Sequence, residues 1–379
     1  MPSTGLQALP NDILIILLPE YLHNIEDLVN LASTCTALRD SMATASPSTI
    51  LRLAAAQTRT FFRPSPHFLV AATARELGHW ARRSEANEAE LLVRLEEGLD
   101  GLLNLAMARC GLTMERIRKL YLMRFSIINP TTDLIDKCVG KQWYAIPNFW
   151  SGGASDACSI ESDPSETTFH LAIYGELFGP DFDTILDQDQ PSRRLGVETR
   201  LDYIRYCVSD PKYGECGHWI IAPLSPEPVD RRHAFRKFGP RTSRGSVFLE
   251  SERNAPRYDH NTALKWVLRS SRWRPRWKNV RAKAGGEFQN DVKGGGGWHD
   301  DYRLGWRQRM LKAVMVCQGL EGLGMLRPGL QDQWTPTIRA WRTRIAGMIE
   351  EPKTIKFGEP AIVEYPFLLE DLKTCLRDI

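Results

Sequence analysis

From Ile13 to Ile128 the apolar residues of this chain recur three and four positions apart, which is the spacing of one helical face and not the alternation of a strand. The clearest run is Leu91, Leu95, Leu99, Leu102 and Leu103 within residues 85–110, flanked by similar patterns over 68–83 and 114–128. The chain up to about residue 140 is therefore expected to be wholly helical. From 143 to about 163 the text turns to Gly, Ser, Pro and aromatics, which reads as irregular. Helical spacing resumes over 169–178, 198–208, 306–320, 336–349 and 367–376. Residues 222–260 carry Pro223, Pro226, Pro228, Pro240 and Pro256 among arginines and are expected to be surface loop, and the glycines at 294–297 a hairpin or linker tip. No repeat of fixed period occurs, so propeller blades and leucine-rich repeats are unsupported. The expected fold is mainly α: a small three-helix module at 1–48, a helical linker or subdomain at 49–140, and a larger, mostly helical domain with irregular loops at 141–379.

The 42% hydrophobic and 25% charged composition, with a mean hydropathy of −0.33, is that of a globular chain able to bury one large core or two modest ones. The eight cysteines are scattered without a CxxC pair, which fits a reducing compartment. The apolar run at 13–18 lacks a basic leader and is closed by Pro19 and Glu20, so no signal peptide is read, and no 18-residue apolar run suggests a membrane span. An intracellular protein, cytoplasmic or nuclear, is expected. The net charge of +3 hides an asymmetry: residues 1–230 hold 20 Lys+Arg against 30 Asp+Glu, 231–312 hold 21 against 7, and the remainder 8 against 9.

The first segment reads as three short helices. In LPNDILIILLPEYL, Pro10 suits a first helical turn and Asp12 the positive end of the helix dipole, while Ile13, Ile16 and Leu17 share one face until Pro19. Asn24 is an N-cap with Asp27 three residues on, after which Leu28, Leu31, Ala32 and Cys35 recur at helical spacing. Thr36 can cap a third piece carrying Leu38 and Met42 before Ser and Pro at 43–48 interrupt.

This stretch, LPNDILIILLPEYLHNIEDLVNLASTCTALRDSM at 9–42, resembles an F-box, in which Leu-Pro opens the first helix, Asp-Leu lies in the second, and a Cys precedes a Leu-Arg pair in the third. Leu9, Pro10, Ile13, Leu14, Asp27, Leu28, Cys35, Leu38 and Arg39 occupy those places, and Ile50 and Leu51 stand where a Trp is usual. Stretches such as IRKLYLMRFSIINPTTDLIDKC and CQGLEGLGMLRPG are similar in style to uncharacterised filamentous-fungal F-box proteins. The resemblance implies a substrate receptor of an SCF-type cullin-RING ubiquitin ligase, with no catalysis and no cofactor of its own. It would bind a Skp-family adaptor through the N-terminal helices and a protein substrate through the C-terminal region. The adaptor-facing side chains are expected to be Leu9, Pro10, Leu14, Leu18 and Leu28, with Ile13, Ile16, Leu17, Leu31, Cys35 and Leu38 packing inward. The competing reading places all of them in the core of one helical domain. A scaffold acting outside the ligase is a further alternative.

The segment LKWVLRSSRWRPRWKNVRAK interleaves Trp266, Trp273 and Trp277 with Arg272, Arg274, Arg276, Lys278 and other cations. It could stack and hold single-stranded nucleic acid or another polyanion over 231–312, or grip an acidic or phosphorylated substrate segment. Tryptophans in a core beneath a solvated arginine face give the same text. Pro275 predicts a break between two helices. Cys207, Cys216 and His218 are poorly spaced for zinc, and the adjacent His299, Asp300 and Asp301 read as a solvated turn. No GxGxxG, GxxxxGK[ST], GxSxG or HExxH motif occurs.

Overall fold

The computed structural model describes residues 18–139, 163–187, 192–208, 260–270, 272–288, 305–352, 354–356 and 361–375, together with Gly5, Leu9, Pro10, Ile13 and Leu14. The chain opens with α1 (Leu18–Tyr21), α2 (Ile25–Ala32), α3 (Thr36–Ala43) and α4 (Pro47–Ala56). Asn24 caps α2 as its sequence position predicts: its side-chain oxygen accepts from the Asp27 N–H at 2.9 Å, while the Asp27 carboxylate accepts from the His23 N–H at 3.1 Å. Two otherwise orphaned donors are thereby satisfied. Asn24→Ala is expected to cost about 1 kcal/mol in chemical denaturation. Asn24→Asp, which keeps the accepting oxygen, should cost much less.

The body follows as α5 (His67–Ala81), α6 (Glu85–Leu95), α7 (Gly98–Arg109), α8 (Met114–Met123) and α9 (Asn129–Val139). The single helix expected over 85–110 is two helices, because the chain turns at Gly98 with φ +70°, a left-handed conformation that a glycine adopts without strain. Between α8 and α9, residues Arg124–Ile128 form a wider turn of π type. It falls directly before Pro130, which has no N–H to offer the carbonyl four residues back.

The centre of the molecule is α10 (Pro164–Phe178), capped by Asp163, whose carboxylate accepts from the Ser165 N–H at 2.7 Å. Every residue from Thr167 to Phe178 is buried, so this helix is sheathed on all sides, chiefly by α5 and α9. The remaining elements are α11 (Asp181–Leu186), α12 (Val197–Asp202) with a π turn at Tyr203–Val208, α13 (His260–Arg269), α14 (Arg274–Lys283), α15 (Trp306–Val316), α16 (Gly319–Gly322) with a 3₁₀ turn at Leu323–Leu326, α17 (Gln331–Gly347) and α18 (Leu368–Cys375). Before α18 a short antiparallel ribbon, β1 (Thr354–Lys356) with β2 (Ala361–Val363), pairs Ile355 with Ile362. The fold is mainly α, as expected, with this ribbon as an addition.

Helix α17 begins at Gln331, ahead of the start expected at Pro336, and continues through that proline on its exposed side. There the Asp332 carbonyl, which has no partner N–H from Pro336, can face water. The expected break at Pro275 is found: α13 and α14 are separate, and Pro275 sits in the first turn of α14. The expected irregular segments around 143–162 and 222–259 and the glycine run 294–297 lie outside the described residues.

One apolar cluster runs through the whole chain, from Ile25 and Leu28 at the front to Leu372 and Cys375 at the end. The front helices therefore share the body's core. At the joint, the Leu112 N–H donates to the Pro47 carbonyl at 2.8 Å, and a Cβ on Gly111 would lie 2.4 Å from the Pro47 ring. Only a glycine permits so close an approach at that position.

Candidate functional site

The front helices have two unlike sides. Toward the body, Ile25, Leu28 and Met42 join the common core, Leu14 and Leu38 are buried as well, and Arg52 of α4 donates to the Pro19 carbonyl at 2.8 Å, tying α1 down. On α2 the residues Glu26, Val29, Asn30 and Ser33, at i, i+3, i+4 and i+7, form an exposed face. Of the five side chains expected on an adaptor-facing surface, Leu9 and Pro10 are exposed. Leu14 and Leu28 are 2% and 3% exposed, so both are buried here, and Leu28 joins the same cluster that holds Ile50 and Leu51. The side chain of Leu18 lies outside the description. Tyr21, 75% exposed, and Val29, 47% exposed, are apolar surface that the sequence reading did not single out. Val29 belongs to the DLVNLA run, and helical spacing alone does not say which side of a short helix is covered.

The basic segment divides in the same manner. Trp273 is fully buried and Trp277 nearly so, packed edge to face with ring centroids 5.9 Å apart. Neither presents a face on which a base could stack, which corrects their expected role as contact residues. The cause is the period of α14: Trp277 and Val280 point toward residues 323–326, while Arg274, Arg276 and Lys278 point outward. Arg272 precedes the helix and is exposed as well. Cys216, His218, His299, Asp300 and Asp301 lie outside the described residues.

Among the described residues, two clefts are lined by charged side chains. The larger, about 710 Å³, runs from Pro47 at the start of α4 along α5 to α16. Much of its wall charge is paired within the protein. Glu176, buried on α10, accepts from Arg75 at 2.7 Å and from the Leu320 N–H at 3.1 Å, and Lys119 pairs with Glu321. The Lys119 hydrogen bond holds the Glu321 carboxyl below its ordinary range. Burial, reinforced by Arg82 and Arg75, lowers the imidazole pKa of His79, so it is neutral at pH 7. Arg75, Arg116, Glu176 and Glu321 are thus engaged with one another or with Lys119 and act as a structural wall.

The smaller cleft, about 450 Å³, lies between the start of α9, α14 and the turn at 326–328. Arg272, Arg276 and Arg327 line it together with Asp133 and Thr131.

No family model, curated protein or solved structure matches this chain.

Among the described residues no group of three or more His, Cys, Asp or Glu side chains is arranged to hold a metal ion, and no helix is long and apolar enough to cross a membrane. Nor is a described thiol activated where its ionisation is perturbed: burial pushes Cys110 up to about 12 and raises Cys207 and Cys317 further. Among the described residues, the apolar outer side of the front helices and the arginine cleft are the two surfaces that bear on the sequence-derived expectations.

Proposed function

We propose that this chain is a docking protein of the F-box type, a substrate receptor that joins a Skp-family adaptor, and through it a cullin-RING ubiquitin ligase, to a protein substrate. The observation that supports this reading best is the two-sidedness of the first thirty residues. Leu14, Ile25 and Leu28 are buried within the protein, while Leu9, Pro10, Tyr21 and Val29 remain uncovered. Covering such a side with a partner's helices returns about 25 cal/mol per Å² of apolar surface, enough for several kcal/mol over a modest contact. In this reading the chain performs no bond-making step and needs no cofactor. It holds a substrate's lysines near a ubiquitin-charged enzyme and so raises their effective concentration.

The test is titration calorimetry of the full-length chain with a purified Skp-family adaptor, followed by co-purification of the cullin. Binding at micromolar concentration or tighter is expected. The pair Leu9→Ala with Pro10→Ala should abolish capture, and Val29→Asp should weaken it about tenfold or more, all with unchanged circular dichroism because these side chains are exposed. Leu122→Asp, at a 68% exposed position of α8, is the control and should bind as the parent does. No heat of binding at micromolar adaptor would end the proposal. Capture of adaptor without cullin would replace the receptor by a scaffold outside the ligase.

A further inference from the structure

The smaller cleft holds an arrangement that the docking reading leaves unused. Three guanidinium groups, from Arg272, Arg276 and Arg327, line it against one carboxylate, Asp133. Arg276 and Arg327 make no ion pair among the described residues. Thr131, which also lines the cleft, is 1% exposed, and its hydroxyl has no hydrogen-bond partner among them. A buried hydroxyl is almost always bonded, so one left open beside Arg276 and Arg327 marks a place shaped for an acceptor.

The arginines are held in position by a braced helix. The Asn279 side chain of α14 donates to Gln331 at 2.8 Å, Gln331 donates in turn to the Met325 carbonyl at 3.0 Å, and Lys283 pairs with Asp332 at 2.9 Å. Trp273 and Trp277 anchor the underside. Arg276 thus projects from a helix fixed at three points, and Arg327 from the turn leading into α17.

We infer that this cleft binds a phosphate monoester, its dianion held by Arg272, Arg276 and Arg327 and one oxygen accepting from the Thr131 hydroxyl. A lone carboxylate would be satisfied by one bidentate arginine, whereas a phosphate offers three acceptor oxygens and nearly two charges. A nucleic-acid strand suits the site less well, because it calls for an extended basic track with stacking faces, and here the space is bounded and the tryptophans are buried. If the docking proposal holds, the ester is a phosphorylated side chain of the substrate, and that last step alone rests on it.

The experiment titrates the full-length chain with three probes: inorganic phosphate, O-phosphothreonine blocked at both ends, and oligo(dT). Saturable binding of blocked phosphothreonine is expected, strengthening between pH 5 and pH 7.5 as the ester completes its second ionisation near pH 6. Arg276→Gln and Arg327→Gln should each weaken it about tenfold. Arg39→Gln, an exposed site on α3, should not. Thr131→Val should also weaken binding, yet unfold at the parent's temperature or above it, because it removes a buried hydroxyl without a partner. Inorganic phosphate bound as tightly as the blocked amino acid would keep the phosphate chemistry and assign the ligand as a free ion or small ester. Failure to bind either phosphate probe, unchanged affinity in both arginine variants, or tighter arginine-dependent binding of oligo(dT) would each overturn the inference. Adaptor capture measured on the same preparations separates the two proposals, since Arg276→Gln should leave it intact.

Discussion

Replacing Arg200 with methionine is expected to destabilise the protein by about 3–5 kcal/mol, enough to consume much of the stability of an ordinary domain. Arg200 is 1% exposed on α12 and donates to the carbonyls of Tyr365 at 2.7 Å and Val363 at 2.9 Å. It also faces the carboxylate of Asp371 at 3.6 Å, which in turn accepts from the Tyr174 hydroxyl of α10. One guanidinium thus ties α12, the segment after β2, α18 and, through Asp371, the central helix. Methionine fills part of the volume but strands two carbonyls without their donor and the Asp371 carboxylate without its counter-ion.

The loss should depend on pH in a definite direction. Burial pushes the Asp371 carboxyl above the ordinary carboxylate range, against the pull of Arg200 and Tyr174. Because the folded-state pKa is the higher one, the folded form binds this proton more tightly than the unfolded form. Its contribution is present below the unfolded value near 4 and fades as pH rises through the folded one. Removing Arg200 raises the folded pKa further, so the gap between variant and parent should widen from acid toward neutral pH. Urea denaturation at pH 4.5 and at pH 8 measures this. A gap that is constant or larger in acid would mean that Asp371 does not carry the buried negative charge.

The second large effect is expected at Gly175. A Cβ there would lie 2.3 Å from the Gly319 nitrogen and 2.8 Å from its Cα, both backbone atoms that cannot swing aside. One turn on, a Cβ at Gly179 would meet the Cys317 carbonyl oxygen at 2.2 Å. These two glycines form the seat on α10 against which the chain turns from α15 into α16. Gly319 makes that turn at φ +68°, and the Glu176 carboxylate accepts from the Leu320 N–H just beyond it. Gly175→Ala must push α10 and the 317–319 turn apart and should cost about 3 kcal/mol or more. Gly347→Ala, with open space around its Cβ at the end of α17, should be neutral or gain up to about 1 kcal/mol. Thermal melts of the pair decide it: equal midpoints would show that the seat yields cheaply.

Local chemistry was legible in the sequence where neighbours along the chain decide the outcome. Asn24 with Asp27 and Pro275 as a helix break each act within one turn, and the structure carries both, whereas the leucine spacing of 85–110 gave helix without the turn at Gly98 that divides it. What could not be read was which side of an amphipathic helix would be covered. Leu28 and Val29 are adjacent and similar, yet one is core and the other surface, because the choice depends on helices that arrive later in the chain. Trp273 and Trp277 follow the same logic. The arginine cleft was half visible: Arg272 and Arg276 stood out by charge density, but Thr131 and Arg327 come from other segments of the chain, and no local spacing signals their meeting. Gly175 and Gly319 were silent for the same reason.

The joint at Pro47 and Gly111 bears on how the molecule would work as a coupling device. A front end threaded into the same apolar interior as the rest, and butted against it backbone to backbone, behaves as a handle forged in one piece with its tool and not as a ball on a string. Whatever grasps Tyr21 and Val29 then sets the bearing of the arginine cleft as well. The reach from one to the other is dictated by the geometry of the helices between them, so, on the docking proposal, lengthening that path by a helical turn should misdirect a bound substrate without weakening either contact.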